Sequence, residues 1–417
     1  MTSVAGLVGL GSYLRRLGID RELHAEFDRL KSGNGIIYPM GAQLRLLTDA
    51  FAVGETRVFG VEGLAADPLF TYLAGGVVPS IDTLYDDLDR FDDTALGALE
   101  YKVAEHGLVR VPSVRGPFVH LDVDTSVLPL FGAHEGGVPG PNPKYRGRPS
   151  YHPMLARIAE TGTIAGAQLR RGDTGFGVDD VPTLRRWVHR AKRKLRRNVS
   201  LCVRIDSAGD CAEVLHALQE EQAFYVIKAK VTPDLYGVAT WATNWKTVDV
   251  DADKRPIRQV AELEFSRGTW REKGIKPRVI AVRSLERHGK QMPLFTNADW
   301  TLQVFLTNRI DDANDVAWDY DKRAGIEPLI AECKGAWGIG NASSYSFAAN
   351  HAAFLLKMFT HNLLDRYATE QFPELPKWRT PWRRRTLLRV PGRLSRSGRG
   401  RKLHLPPGSP LLTTRRE

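Results

Sequence analysis

Apolar residues in the N-terminal part of the chain recur at the three- and four-residue intervals of a helix that buries one side. RELHAEFDRLKSG and AQLRLLTDAFAVG both follow this pattern, and SIDTLYDDLDRF opens on Ser80, a residue type that caps helix starts. Residues 1–115 are expected to form a helical domain, the kind that often binds DNA. At residue 116 the period changes from helical to alternating. FVHLDVDTSV places Leu121 and Val123 on one face of a strand and His120, Asp122 and Asp124 on the other. The Gly- and Pro-rich GAHEGGVPGPNPKYRGRPSYHP is a loop, and YHPMLARIAETGTIAGAQLRRG predicts a hairpin turning at Thr161-Gly162. VDDVPTLRRWVHRAKRKLRR then predicts a helix with a basic end, LCVRID a strand, GDCAEVLHALQEEQ a helix and AFYVIKAK a strand.

A meander of strands followed by alternating helices and strands is the layout of a ribonuclease-H-like α/β core, beginning with residues 116–230. Residues 231–298 interrupt it with short alternating runs (VATWATNW, IRQVAELEF, RVIAVRS) and predict a β-rich insertion. The core resumes over 299–370 with the strand TLQVFLTN, a helix capped by DDAND, and the amphipathic FAANHAAFLLKMFTHNLLDRYA. The remainder, 371–417, is a basic C-terminal tail.

Composition narrows the function. The length of 417 residues and 42% hydrophobic content fit a globular chain of more than one core. No run reaches the 18 or so apolar residues of a membrane span. The short apolar TSVAGLVGLG precedes Arg15 and Arg16, the wrong order for a secretory signal, and three cysteines without a CxxC pair indicate neither a disulfide framework nor a zinc site. A cytoplasmic protein with no membrane partner is expected. The charge is uneven: residues 371–417 hold 13 Lys or Arg and 2 Glu, matching the net +11 of the whole chain and leaving the rest neutral. Such asymmetry points to a polyanion, most commonly nucleic acid, and the basic run Arg185–Arg197 is either a solvated helix face or a second backbone-binding surface.

The candidate chemistry is carboxylate chemistry. Asp124 and Asp206 each end a predicted strand, where functional groups of open α/β sheets gather. Side by side they would repel unless a divalent cation sat between them, and oxygen-only ligands suit Mg²⁺ or Mn²⁺. In YDKRAGIEPLIAECKGAWG, read as one helix, Tyr320, Arg323, Glu327 and Lys334 fall within an arc of about 60°, while Glu332 projects roughly 140° from Glu327. Glu327 could then supply a third carboxylate to a pair of metal ions. Pro328 sets where that helix can begin.

These residues carry a resemblance. Tyr320, Arg323, Glu327 and Lys334 match Y-x2-R-x3-E-x6-K, the signature of one branch of the DDE transposases of bacterial insertion sequences. Asp124-Thr125-Ser126 and Arg204-Ile205-Asp206-Ser207 resemble that branch's two aspartate motifs, and KYRGRPSYHPML, LRRGDTG and FAANHAAFLLKMFTHNLL are also similar. The resemblance implies Asp124, Asp206 and Glu327 as catalytic metal ligands for two Mg²⁺ ions, replaceable by Mn²⁺. It implies DNA contacts from Tyr320, Arg323 and Lys334, with Asp122 the competitor of Asp124 for the first position. In similar proteins the insertion carries an aromatic that receives an extruded base, and Trp300 lies near that place, with Trp241, Trp245 and Trp270 as alternatives. The implied activity is cut-and-paste transposition by a homodimer bound to terminal inverted repeats and target DNA in the bacterial cytosol. A repurposed, non-catalytic DNA-binding relative and a structure-specific nuclease are the alternatives; inverted repeats flanking the gene, and a strand-transfer assay, discriminate them.

Overall fold

The computed structural model describes residues 1–142, 145–285, 300–398 and 400–412. Residues 286–298 of the expected insertion, and Arg399, Arg415 and Arg416 of the basic segment, lie outside them.

Seven helices open the chain: α1 (Leu7–Leu17), α2 (Ile19–Phe27), α3 (Met40–Val53), α4 (Gly60–Leu64), α5 (Pro68–Leu73), α6 (Ile81–Leu88) and α7 (Asp93–Gly107). Side-chain caps start several of them, with Asp67, Ser80 and Asp92 each accepting from amides of the first turn.

The centre is a nine-stranded mixed sheet in the order β3-β2-β1-β4-β5-β9-β8-β7-β6. Its first five strands are β1 (Phe118–Thr125), β2 (Met154–Ile158), β3 (Ile164–Gln168), β4 (Ser200–Ile205) and β5 (Phe224–Lys228). β1, β2 and β3 form an antiparallel meander, and β4 and β5 join β1 in parallel. The hairpin turns at Gly162, whose φ of 74° suits a residue without Cβ. Crossovers α8 (Val181–Lys192) and α9 (Ala212–Glu220) pack on one face with Val119, Leu121 and Val123 of β1. The basic run only partly belongs to α8, because Arg193–Arg197 leave the helix.

The inserted residues extend this same sheet. β6 (Lys246–Val250), β7 (Pro256–Leu263) and β8 (Arg278–Leu285) add antiparallel strands beyond β9 (Trp300–Thr307). VATWATNW is not a strand. Its first residues finish helix α10 (Pro233–Thr240), because Thr232 caps a helix whose first residue is Pro233, and a further short helix, α11 (Gly268–Glu272), sits between β7 and β8.

The expected single helix over 320–338 is three pieces: α12 (Ala313–Asp321), a tight 3₁₀ turn over Lys322–Gly325, and α13 (Ile326–Gly335). Pro328 is the third residue of α13, within the first turn, where its missing N–H costs no helical bond. α12 covers β4, β5 and β7–β9 through Val316, Ala317 and Tyr320 on the face opposite α8 and α9.

α14 (Phe347–Gln371) is buried on nearly all sides, as a helix must be when its apolar residues surround it. It shares one core with α1–α3, α6, α7, α13 and the face of the β2–β3 hairpin turned away from α8 and α9. The N-terminal helices are therefore packed into the body of the protein. The basic segment is seated there too: α15 (Thr380–Arg383) leads to a turn in which buried Arg384 donates to the carbonyls of Phe51, Ala52 and Ala336. Glu332 accepts bonds from the amide and hydroxyl of Thr380, so the residue that geometry set apart from Glu327 holds this segment. Strands Arg393–Ser397 and Gly400–His404 form a hairpin, and Thr2 bridges to Gly392. Among the described residues no helix is long and apolar enough to cross a membrane.

Candidate active site

β1 and β4 run in parallel with His120 opposite Cys202, Asp122 opposite Arg204 and Val123 opposite Ile205. Asp124 and Asp206 are each the next residue along, so two carboxylates meet at the carboxyl ends of adjacent strands. Both are held by local backbone: Asp124 accepts from the amide of Thr125 at 2.8 Å, and Asp206 from that of Ala208 at 3.0 Å. Burial raises the pKa of Asp124, the guanidinium of Arg323 draws it down, and the Asp206 carboxylate pushes it up again. Burial is the main cause, with the neighbouring Asp206 carboxylate adding to it.

Glu327 stands in the first turn of α13, where the helix dipole favours a negative charge, and α13 packs against β1. Its side chain is exposed, while Ile326, Leu329, Ile330 and Cys333 bury the rest of the helix. The three carboxylates do not converge to within 4.8 Å as a trio, so the site as it stands is open. All of its candidate ligands are hard oxygens, which fit a divalent cation of the Mg²⁺ or Mn²⁺ type, and the Asp124–Asp206 repulsion is what such a cation would relieve.

The remaining residues of the YREK stretch occupy different surroundings. Arg323 is buried; it donates to the carbonyl of Val123 at 3.0 Å and lies 3.3 Å from the Asp124 carboxylate. Tyr320 is buried against Phe305 with ring centroids 4.6 Å apart, and burial, first, together with both aspartates pushes its hydroxyl up to about 12. Lys334 is exposed in the last turn of α13, and its charge adds to the burial that lowers the pKa of His152. Trp300 starts β9, half-buried, with the Arg283 guanidinium 4.9 Å from its ring and 4.3 Å from that of Trp245. Trp270 is buried in the core and Trp241 is exposed.

Asp122 differs sharply from Asp124. It has no exposed surface and is gripped by Arg204 through bonds of 2.6 and 3.0 Å, with Arg157 at 3.5 Å. One rung further down, His120 lies between Glu160 at 2.6 Å and Asp319 of α12 at 2.7 Å. Burial opposes the charged ring, but bonds to Asp319, Cys202 and Glu160 outweigh it and push His120 up to about 11. His120, Cys202 and Asp319 bring ligand-type atoms within 4.8 Å of one another, yet Arg309, 2.5 Å from Asp319, and Glu160 already supply the balancing charges. They form an ion-pair network. Sequence reasoning gave no role to this network, although the alternation that placed His120, Asp122 and Asp124 on one face also places Cys202, Arg204 and Asp206 there.

The sheet and its strand-end acids define an α/β protein whose neighbouring carboxylates suit a divalent cation. The comparisons give this class a family: the chain belongs to the Transposase DDE domain group 1 family, whose model matches residues 1–414. It is thus a DNA transposase of the DDE type, a group that generally uses divalent metals. No curated protein matches the chain. Among solved structures, the cryo-EM structure of a piggyBac transposase synaptic complex with hairpin DNA is similar over 89% of this chain and 76% of that one, at 12% identity and a TM-score of 0.48.

Proposed function

We propose that the chain is the transposase of an insertion sequence, cutting strands at the element's ends and joining the freed 3′-hydroxyls to target DNA. The observation that carries this reading is the meeting of Asp124 and Asp206 at the ends of neighbouring parallel strands, with Glu327 on the first turn of the helix packed against β1. The strand order β3-β2-β1-β4-β5, antiparallel for the first three and parallel thereafter, supports a ribonuclease-H-like core. Residues 116–230 and 299–370 would make up that core, with the insertion between them.

Asp124, Asp206 and Glu327 would hold the divalent metal, with Mg²⁺ as the physiological ion and Mn²⁺ as its substitute. The metal supplies Lewis-acid charge at the attacked phosphodiester. Arg323, anchored to Val123, fixes Asp124 in its strand-end position and tempers its repulsion from Asp206. Exposed Lys334, two turns along α13 from Glu327, is placed to meet a DNA phosphate, and Tyr320 supports the backbone under the site. Trp300 is the candidate aromatic for an extruded base, and a homodimer would bring two element ends together. The N-terminal helices and the basic segment would bind DNA.

The test uses the full chain with DNA carrying the sequences that flank its gene. Asp124→Ala, Asp206→Ala and Glu327→Ala are each expected to keep end binding and lose Mg²⁺-dependent strand cleavage. Normal nicking by the Glu327→Ala protein would sink the assignment.

A further inference from the structure

Beside α13 lies a cavity of about 700 Å³, lined by Pro328, Leu329 and Glu332 on one side and by Lys377, Trp378 and Arg379 on the other. It shares Val114 and Arg115 with a second cavity, of about 440 Å³, whose far wall is Arg196 and Arg197. The two form a groove that joins both basic stretches of the sequence, the end of the 185–197 run and the start of the C-terminal segment.

The charges in this groove sort into two sets. Its carboxylates are engaged: Glu160 with His120, Glu332 with Thr380, and Asp365 with both Arg110 and Arg383. Arg115, Arg196, Arg197, Lys377 and Arg379 are exposed, and among the described residues none of them makes an ion pair. The half-buried Trp378 lies among them, 6.4 Å from the ring of exposed Trp382. A row of uncompensated cations along a groove attracts a polyanion, and its spacing over a track suits a phosphodiester backbone better than a single anion.

We propose that this groove carries the backbone of the duplex DNA leading away from the cleaved phosphate, which would pass from Glu327 over Pro328 at the start of α13 towards the amino ends of β1 and β4, the far end of those strands from Asp124 and Asp206. This rests on the transposase reading and adds the path of the DNA away from the acids. It assigns Arg115, Lys377 and Arg379 to sequence-independent phosphate contacts.

The test measures binding of a generic 40-base-pair duplex to the full chain as a function of salt. Neutralising a phosphate contributes about 0.9 to the slope of log affinity against log salt, so Arg115→Glu/Lys377→Glu/Arg379→Glu should lower that slope by about 2 to 3. A control triple with the same charge change in the turns and short helix of the inserted segment, Lys254→Glu/Arg271→Glu/Lys276→Glu, should leave it near that of the unmodified chain, and all three proteins should melt alike. A groove variant with unchanged affinity and slope overturns the groove, as does an equal loss from the control. Failure of the unmodified chain to bind duplex DNA would overturn the transposase reading as well, so the two failures are distinguishable.

Discussion

Asp122 and Asp124 lie two residues apart on one face of β1, yet their removal should have opposite consequences. Asp122→Asn takes the charge from a carboxylate without exposed surface, leaving Arg204, itself almost fully buried, facing a neutral amide across bonds of 2.6 and 3.0 Å. Breaking a buried pair from one side typically costs about 3–5 kcal/mol, because the surviving charge stays desolvated. The carbonyl and more distant carboxylate of Asp319 compensate Arg204 only in part. Asp124→Asn removes a charge that burial and Asp206 both disfavour, while the Arg323 contact and the Thr125 amide bond oppose the change. Its expected effect is neutral to stabilising, by no more than about 1 kcal/mol. The pH dependence has a sign. Asp124's raised pKa means that its contribution to stability is present below the unfolded pKa and is lost as pH rises through the folded one; Asp124→Asn should remove that loss.

Urea denaturation followed by far-UV circular dichroism, comparing midpoints of the same transition, measures both variants, and Mg²⁺-dependent cleavage is assayed below each variant's transition. Asp122→Asn should fold less stably but still cleave; Asp124→Asn should fold normally and not cleave. The reasoning is refuted if Asp122→Asn costs under about 1 kcal/mol, since a buried ion pair cannot be broken that cheaply. It is equally refuted if the two variants exchange phenotypes.

Two further perturbations probe the frame around the site. His120 is pushed up to about 11 from an ordinary 6.5, so its contribution to stability is full below about pH 6.5 and is lost as pH rises through about 11; melting scans should show the unmodified chain weakening between about pH 7 and 10, and His120→Gln should flatten that decline. Gly6 has no room for a side chain, because a Cβ there would lie 1.9 Å from the carbonyl oxygen of Leu387; Gly6→Ala should cost about 1–3 kcal/mol by urea denaturation and speed proteolysis after residue 380, whereas an unchanged digestion pattern would show that this segment is not seated on α1.

What was legible in the sequence was what depends on near neighbours. Alternation found β1 and its face of His120, Asp122 and Asp124, and the Thr161-Gly162 turn located the hairpin because Gly162 needs a positive φ. Strand ends followed by small polar residues marked Asp124 and Asp206. VATWATNW failed because its aromatic and β-branched content imitates a strand, while the deciding signal, Thr232 before Pro233, lies upstream of it. The stripe of Tyr320, Arg323, Glu327 and Lys334 was drawn on one continuous helix; the 3₁₀ turn at Lys322–Gly325 changes the angle per residue and turns Arg323 inward. The seating of the basic segment was beyond local reading altogether. Arg384 looks like one more surface cation until the carbonyls of Phe51 and Ala52, more than three hundred positions earlier, are seen to receive it.

The polar face of β1 and β4 explains why charge is so deeply buried beside the candidate site. Two rungs cross the two strands, His120 with Cys202 and Asp122 with Arg204, and Asp124 and Asp206 follow at the top, one residue past the last pair, Val123 with Ile205. The Asp122 rung pairs opposite charges directly, and the His120 rung is balanced by Glu160, Asp319 and Arg309. Only the two acids at the top set like against like, with Arg323 as a partial counterweight to one side. A sheet this well packed cannot spread its strands to relieve that repulsion, since the lower rungs and α12 tie them together through Asp319. The unrelieved charge is therefore held in place at the solvent end of the ladder, where a divalent cation would relieve it, and the ion pairs below it keep the two strands from spreading apart.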